Sequence, residues 1–478
     1  MTKPGFIALL LILLLMGGKL SAKVALPSIF SDGMVLQQKA QVNIWGKAKN
    51  HVNITTSWDN KTYKVSPGKA ENWKVKINTP AAGGPFTITI NDGDELKLSD
   101  ILIGEVWLAS GQSNMEMPLK GFKNQPVNGS QEAVKNSENT QIRFFNVENI
   151  SWKKPLENCK GSWVKASPST TSNFSAVAYF YAKILHENLN VPVAIIEADW
   201  GGTLVQAWMS EKALSAFPEA KVPQQLNEKN ENKNTHAGLF NGMIHPIMGY
   251  GIKGAIWYQG EQNRHEPELY LKMFPAMVKQ WRKDWAIGDF PFYYVQIAPY
   301  ISKNKKLSPT LLKLQPLVPV LRESQLFAEK KIKNSGMAVL TDIGAENTIH
   351  PPDKITVAER LSYFALAKTY NKKDVYYMGP VYKNSKIKGN EMILSFDHAE
   401  GDLVLSNKAL PNFEIAGSDK KFHPATPVIN GNTITLTSSE VNKPVAARYA
   451  FKAWVEGNLY NNHNLPASSF RTDKWDVK

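Results

Sequence analysis

The run Asp100-Ile101-Leu102-Ile103-Gly104-Glu105-Val106-Trp107-Leu108-Ala109 is apolar at most positions and leads straight into Ser110-Gly111-Gln112-Ser113-Asn114-Met115. It reads as a buried strand that ends in a loop or helix start. The pattern from about 99 to 375 gives such a strand its setting. Phe174 to Leu189 carries apolar residues at helical spacing, and Val191 to Ala198 then reads as a buried strand. Tyr270 to Trp285 looks helical and Phe290 to Ile297 strand-like, with further strands at Lys253–Tyr258 and Gly336–Thr341. Strands alternating with helices of this length imply an α/β fold, a mostly parallel sheet covered on both faces. Ligands in such sheets bind at the C-terminal strand ends, and that is where Ser113 falls.

The flanks follow a different pattern. From about 24 to 98, Val42–Gly46, Val52–Thr56, Trp73–Ile77 and Phe86–Ile90 recur at strand-and-turn spacing, and Ala82-Gly83-Gly84-Pro85 supplies a loop. A small antiparallel sandwich is expected there. The β pattern returns beyond Tyr376, at Glu391–Phe396 and Asn432–Thr437. The segment 299–321, rich in Lys and Leu with Pro309, Pro316 and Pro319, reads as a long loop. At 478 residues the chain exceeds one compact core. The expected division is a signal peptide at 1–22, an N-terminal β-sandwich at 23–98, an α/β domain at 99–375, and a C-terminal β domain with a tail at 376–478.

The leader reading rests on Lys3, the apolar stretch Phe6 to Met16, and the small-residue site Leu20-Ser21-Ala22. That stretch is too short for a comfortable bilayer span, so no membrane span is expected after cleavage. Cys159 is the lone cysteine, which rules out an internal disulfide. Export without disulfides fits a bacterial periplasm or extracellular surface. The formal charge of +14 suggests attraction to polyanions. No basic-aromatic nucleic-acid module is recognisable, and clusters such as Lys303-Asn304-Lys305-Lys306 read as solvated faces, so acidic glycans are the better partner.

A serine among small and amide residues at a strand end presents a hydroxyl over a sheet, with its own N–H facing the substrate. The same Gly-x-Ser pattern also makes a tight turn with a helix cap. Three later segments bear on that choice: Asp199-Trp200-Gly201-Gly202-Thr203, Trp257-Tyr258-Gln259-Gly260-Glu261-Gln262-Asn263 and Ile349-His350-Pro351. Together with Gly111-Gln112-Ser113-Asn114-Met115, and in this order, they resemble the signature of the sialate O-acetylesterase family, a branch of the SGNH-type hydrolases. The resemblance runs from Phe30-Ser31-Asp32-Gly33-Met34-Val35-Leu36-Gln37 to Leu465-Pro466-Ala467-Ser468.

The resemblance implies an SGNH-like fold and an exported serine esterase that removes O-acetyl groups from carbohydrates, sialate foremost. Ser113 would be the nucleophile and His350 its base, kept out of a helix by Pro351-Pro352 and followed by one beginning near Ile355. The amides of Ser113, Gly201 and Gly202 and the side chain of Gln259 would form the oxyanion hole. Glu261 is expected to hydrogen-bond the serine loop from a buried position. Gln112, Asn114, Asn263 and Trp208 would contact the sugar or brace the loops.

One position departs from the family. Where relatives carry an aspartate before the Ile-His-Pro segment, this chain has Thr348, preceded by Asn347. The readings left open are a Ser-His dyad oriented by a backbone carbonyl or Asn347, a carboxylate from Glu346 or Asp342, or a weakened enzyme. The dyad is preferred, and Asp342 fits a loop-capping role better. His245 reads as a packing histidine, and Trp257 and Tyr258 as core. No metal-ligand spacing is present and no cofactor is implied. A two-carboxylate glycosidase built on Glu105, Glu116 and Glu261 stays open on sequence, but the serine and amide pattern favours acyl transfer. The alternatives carried forward are acetylated xylan or another plant polysaccharide as substrate and, from another class, a non-catalytic glycan-binding protein.

Overall fold

The computed structural model describes residues 24–220, 232–301, 315–399, 401–406 and 412–477. The expected signal peptide and positions 302–314 of the expected long loop lie outside them. Among the described residues no helix is long and apolar enough to cross a membrane.

The central sheet holds β1 (Glu95–Gly111), β2 (Asn139–Asn146), β3 (Trp163–Ala166), β4 (Val193–Asp199), β5 (Gly254–Tyr258), β6 (Phe292–Val295) and β7 (Ser335–Ala338). Their order is β7-β6-β5-β1-β4-β2-β3. All neighbours are parallel except β3, which pairs antiparallel with β2 at the edge. Strand β1 therefore lies between β4 and β5, and the chain builds outward from it in both directions. The crevice at the C-terminal end of such a central strand is where an open α/β sheet binds ligands.

Helices cover both faces: α1 (Ser113–Glu116), α2 (Ala176–Leu189), α3 (Pro267–Trp285), α4 (Val318–Glu329) and α5 (Lys354–Phe364). The two-residue period of a strand sorts side chains into two layers. Val106, Leu108, Ala255 and Trp257 pack with Tyr270, Phe274 and Trp281 of α3 and Leu321 of α4. Trp107, Ala109, Ile256 and Tyr258 pack with Tyr181 and Leu185 of α2 and Leu361 of α5. The apolar run of β1 is explained by burial on both sides. The long loop expected over 299–321 is corrected at its end, since Val318 to Leu321 belong to α4. Pro319 lies in the helix's first turn, where a missing N–H removes no intrahelical bond.

The N-terminal β segment is continuous with this sheet. Val35–Gln37 and Gly83–Asn91 pair with β1, so the expected division at 98/99 falls inside one strand. Ile44, Ile54, Ile88 and Ile90 belong to the same apolar cluster as α3 and α4. Gln37 fixes the junction: its side-chain oxygen accepts the Val106 N–H at 2.9 Å and its amide donates to the buried Glu105 at 3.1 Å.

The C-terminal strands form antiparallel sheets around a core of their own, including Leu394, Phe413, Ile434, Tyr449 and Phe470. Arg322 of α4, fully buried, ties this unit to the α/β layer. Its guanidinium donates to the carbonyls of Ala450 (3.3 Å), Lys452 and Ala453 (3.4 Å) and to Ser469 Oγ (3.2 Å). Replacing it leaves those acceptors without their donor at a largely buried junction. Arg322→Leu should lower the unfolding free energy by about 3 kcal/mol, read as an earlier urea midpoint; an unchanged midpoint would mean the junction is held elsewhere.

Candidate active site

Gly111, the last residue of β1, has φ +142°, and a Cβ there would lie 2.2 Å from the carbonyl oxygen of Tyr258. Glycine alone lets the chain turn this close to β5. The Gln112 N–H then bonds that same Tyr258 carbonyl at 2.9 Å, and Ser113 opens α1, half-buried at the crevice.

His350 comes from the loop between β7 and α5. Its Nε2 lies 2.8 Å from Ser113 Oγ, so the serine and histidine singled out in the sequence meet in the fold. The Asp353 side chain accepts the Thr356 N–H at 3.0 Å, capping α5 and fixing where this loop ends.

The partner of His350 corrects the sequence expectation. Among the described residues neither a backbone carbonyl nor Asn347 meets the other ring nitrogen; Nδ1 lies 2.6 Å from Gln125 Oε1. With the amide oxygen facing it, Nδ1 carries the hydrogen and Nε2 is left as acceptor for the serine hydroxyl. Gln125 sits in a turn set by Gly121, whose φ is +78° and whose Cβ would lie 2.3 Å from the Gln125 carbonyl. The same turn places Phe122 edge-on to the imidazole, 5.4 Å between centroids. Asp342 is engaged elsewhere, in a two-pronged ion pair with Arg360 at 2.7 Å on each arm. Glu346 gives its backbone carbonyl to the Ile301 N–H at 3.0 Å, while Asn347 and Thr348 line a cavity of about 330 Å³ beside His350, together with Arg264 and Tyr300. Sequence reasoning missed Gln125 because a glutamine in a polar turn, 225 residues from the histidine, carries no local signal.

The expected oxyanion donors divide. Among the described residues, the N–H groups of Ser113 and Gly202 have no hydrogen-bond partner, as the open first turn of α1 and the loop after β4 would leave them. The Gly201 N–H, in contrast, is bound by Glu116 Oε2 at 2.7 Å, so Gly201 is not a free donor. Its lack of a side chain still matters, since a Cβ would lie 3.0 Å from Ser113 Cβ and 2.6 Å from Glu116 Oε2. Gln259 is corrected too. It is fully buried and its amide donates to Thr203 O (2.9 Å) and Asn263 Oδ1 (2.7 Å), spending both hydrogens.

The remaining polar residues brace the loops. Gln112 Oε1 accepts from the N–H groups of Gly260 (3.4 Å) and Gln262 (3.3 Å). Buried Asn263 accepts the Val205 N–H at 2.9 Å and donates to Gln206 at 2.9 Å. Trp208 is buried and donates to Thr203, and His245 packs against the Leu156 carbonyl at 2.8 Å. Asn114 is the hub: its amide donates to Glu261 Oε1 (2.6 Å) and the Ile349 carbonyl (3.0 Å), and its oxygen accepts from Lys354 Nζ (2.5 Å). It links the serine loop to the histidine loop directly.

Lys354, fully buried, is the second residue the sequence did not single out. Burial pulls its ammonium down to about 7 against the opposing pull of Glu261 and Asp353. Burial, and then Lys354, push His350 down to about 4. Burial raises Glu261, with the Asn114 hydrogen bond and Lys354 acting the other way. The imidazole is thereby kept neutral, the form that accepts a proton.

A serine in contact with a histidine at the switch point of a doubly covered parallel sheet defines a serine hydrolase, and the fold is that of the SGNH type. A family model described as carbohydrate esterase, sialic acid-specific acetylesterase, matches residues 103–317. The chain is 30% identical to the sialate O-acetylesterase of Rattus norvegicus, covering 95% of this chain and 94% of that one. It is 29% identical to that of Homo sapiens, covering 95% and 93%. The crystal structure of a carbohydrate acetylesterase from Xanthomonas citri matches with a TM-score of 0.84 at 34% identity, over 95% of this chain and all of that one. The chain belongs to the sialate O-acetylesterase family. It is a carboxylic ester hydrolase that acts on carbohydrates.

An amide in place of a carboxylate keeps the tautomer but supplies no charge to a forming imidazolium. Gln125→Ala should therefore cut kcat about a hundredfold with KM little changed, short of the roughly 10⁴-fold penalty of a wrong tautomer. In a pH–rate series the wild-type acid limb should lie below about pH 6, because a base whose pKa is depressed stays competent until the pH falls through that lower value. An acid limb at the ordinary histidine value, or full activity without Gln125, would contradict the assignment.

Proposed function

We propose that the chain is an exported O-acetylesterase in which Ser113 forms an acetyl-enzyme and His350 moves the proton. The observation that carries this is the 2.8 Å contact between Ser113 Oγ and His350 Nε2, with Nδ1 held by Gln125. Ser113 Oγ attacks the acetyl carbonyl carbon as its proton passes to His350 Nε2. The carbonyl oxygen becomes an oxyanion facing the N–H groups of Ser113 and Gly202, two donors where the sequence suggested four. The C–O bond to the sugar then breaks, and the sugar oxygen takes the proton from His350. Water, deprotonated by the same nitrogen, cleaves the acetyl-enzyme to acetate and free serine.

Gln125 acts as a positioning residue and Glu116 orders the Gly201 turn beside the serine. The missing aspartate was the reason for considering a non-catalytic glycan binder, and that reason weakens once His350 has an amide partner. The names of the relatives point to acetylated sugars, sialate for one and an unspecified carbohydrate for the other. Export rests on the leader-like residues 1–22.

The test is acetate release from an acetylated glycan panel by the protein and by its Ser113→Ala and His350→Ala variants. Release by the unaltered protein with a loss of at least 10³-fold in either variant is expected. Release that survives removal of Ser113 would refute the mechanism.

A further inference from the structure

Three of the four polar backbone groups of Gly201 and Gly202 are held by side chains. Glu116 accepts the Gly201 N–H at 2.7 Å, Lys233 Nζ donates to the Gly201 carbonyl, and Asn234 Nδ2 donates to the Gly202 carbonyl at 3.0 Å. The fourth group, the Gly202 N–H, has no partner among the described residues. Lys233 and Asn234 belong to none of the four motifs that single out Ser113 and His350.

Both side chains come from a turn anchored on two sides. The Asn232 carbonyl accepts the Thr235 N–H at 3.0 Å and Ser151 Oγ at 3.1 Å, and the Ala237 N–H donates to the Gln206 carbonyl at 3.1 Å. Asn234 grips the glycine loop twice, since its Oδ1 also accepts the Leu204 N–H at 2.8 Å. Lys233 lies along Gly202, its Nζ 3.2 Å from where a Cβ on that residue would be. Among the described residues its ammonium makes no ion pair, and its hydrogen bond goes to the Gly201 carbonyl.

The planarity of the peptide gives that bond a consequence. In a trans peptide the carbonyl of one residue and the N–H of the next point in opposite directions. An ammonium that holds the Gly201 oxygen on one side therefore turns the Gly202 N–H to the other, and Gly201 itself lies against Ser113, where a Cβ would be 3.0 Å from the serine Cβ. The same resonance carries charge: a cation on the oxygen draws electron density from the nitrogen and makes its hydrogen a stronger donor. We infer that Lys233 is a positioning residue of the oxyanion hole, whose ammonium aims the Gly202 N–H and strengthens it without touching the substrate. The inference rests on the esterase reading and adds a residue to its machinery. A neutral amide in that place would aim the peptide but polarise it less, because hydrogen bonds from charged donors are roughly twice as strong. Lys233 also acts on the opposite end of Gly201. Burial raises the Glu116 carboxyl, and the Gly201 N–H, Asn149 and the charge of Lys233 work the other way, toward the carboxylate that holds that N–H.

The experiment follows p-nitrophenyl acetate hydrolysis and inhibition by an alkylboronic acid, whose tetrahedral adduct on Ser113 places an oxygen in the oxyanion hole. Lys233→Met should lower kcat about tenfold or more with KM not raised, and weaken the boronic acid by a similar factor. An unchanged kcat, or a raised KM at unchanged kcat, would overturn the assignment, the second by making Lys233 a substrate contact. Lys233→Cys separates the charge from the fold within one sample. Alkylation with 2-bromoethylamine restores an ammonium at nearly the length of lysine, while Cys159, buried and with its thiol pushed up to about 12, stays unmodified. Most of the lost kcat should return on alkylation, and no recovery would reduce Lys233 to a structural part. If neither variant folds, a crystal of the unaltered protein with the boronic acid decides the matter. A boronate oxygen bonded to the Gly202 N–H, with Lys233 still on the Gly201 carbonyl, is expected; a boronate oxygen bonded to Lys233 itself overturns the inference. Absence of p-nitrophenyl acetate hydrolysis by the unaltered protein would strike the esterase reading, a result separate from any difference between the variants.

Discussion

The close passage of Gly111 beneath the Tyr258 carbonyl is the constraint on which the site depends. Strand β1 is clamped between β4 and β5 in register to its last residue, Gly111 standing opposite both Asp199 and Tyr258. It leaves the sheet only by a left-handed turn that no side chain fits. What meets at Ser113 arrives from the ends of other strands of the sheet: the Gly201-Gly202 loop from β4 and the Gln259–Asn263 segment from β5, its two neighbours, and the histidine loop from β7 at the far edge. The apolar layers on both sides of the sheet hold those strand ends in place. The loops are then joined to one another by amides, with Asn114 and Gln112 spanning the gaps.

The electrostatics of the site are unusual for a serine and histidine pair. Among the described residues no carboxylate is hydrogen-bonded to His350; its Nδ1 meets a neutral amide, and Lys354 works against the imidazolium. The carboxylates that do approach the serine are placed on the other side, where Glu116 orders a backbone turn and Asp199 faces a cavity. A base held neutral by burial gives up some stabilisation of its protonated form and gains a wide range of pH over which it can accept a proton. Transition-state charge must then be met mainly on the oxyanion side, by the N–H groups of Ser113 and Gly202.

Much of this was legible in the residues, and the failures have physical causes. The apolar run of β1 and the alternation of helix and strand identified the covered parallel sheet, since burial on both faces leaves a strong mark on composition. Ser113 and His350 were visible through four ordered motifs. Their roles as donors were harder to read for Gly201 and Gln259, because a motif gives residue type while Glu116, Thr203 and Asn263 decide whether a hydrogen is free. Gln125 was invisible for a simpler reason. Its function comes entirely from a Gly121 turn folding onto a loop more than two hundred residues away, and a polar surface turn without that contact would have the same sequence. Lys354 follows the same logic, as lysine is rarely buried and only the packing of α5 against Tyr258 and Asn114 encloses it.

The chemistry stands or falls on the activation of Ser113 by His350. Intact-mass measurement of labelling by a fluorophosphonate, on the protein and its His350→Ala variant, tests it most directly. One adduct is expected, localised to Ser113 by peptide mapping and formed at least a hundredfold faster with the histidine present. Labelling at another residue, or a rate indifferent to the loss of His350, would contradict it.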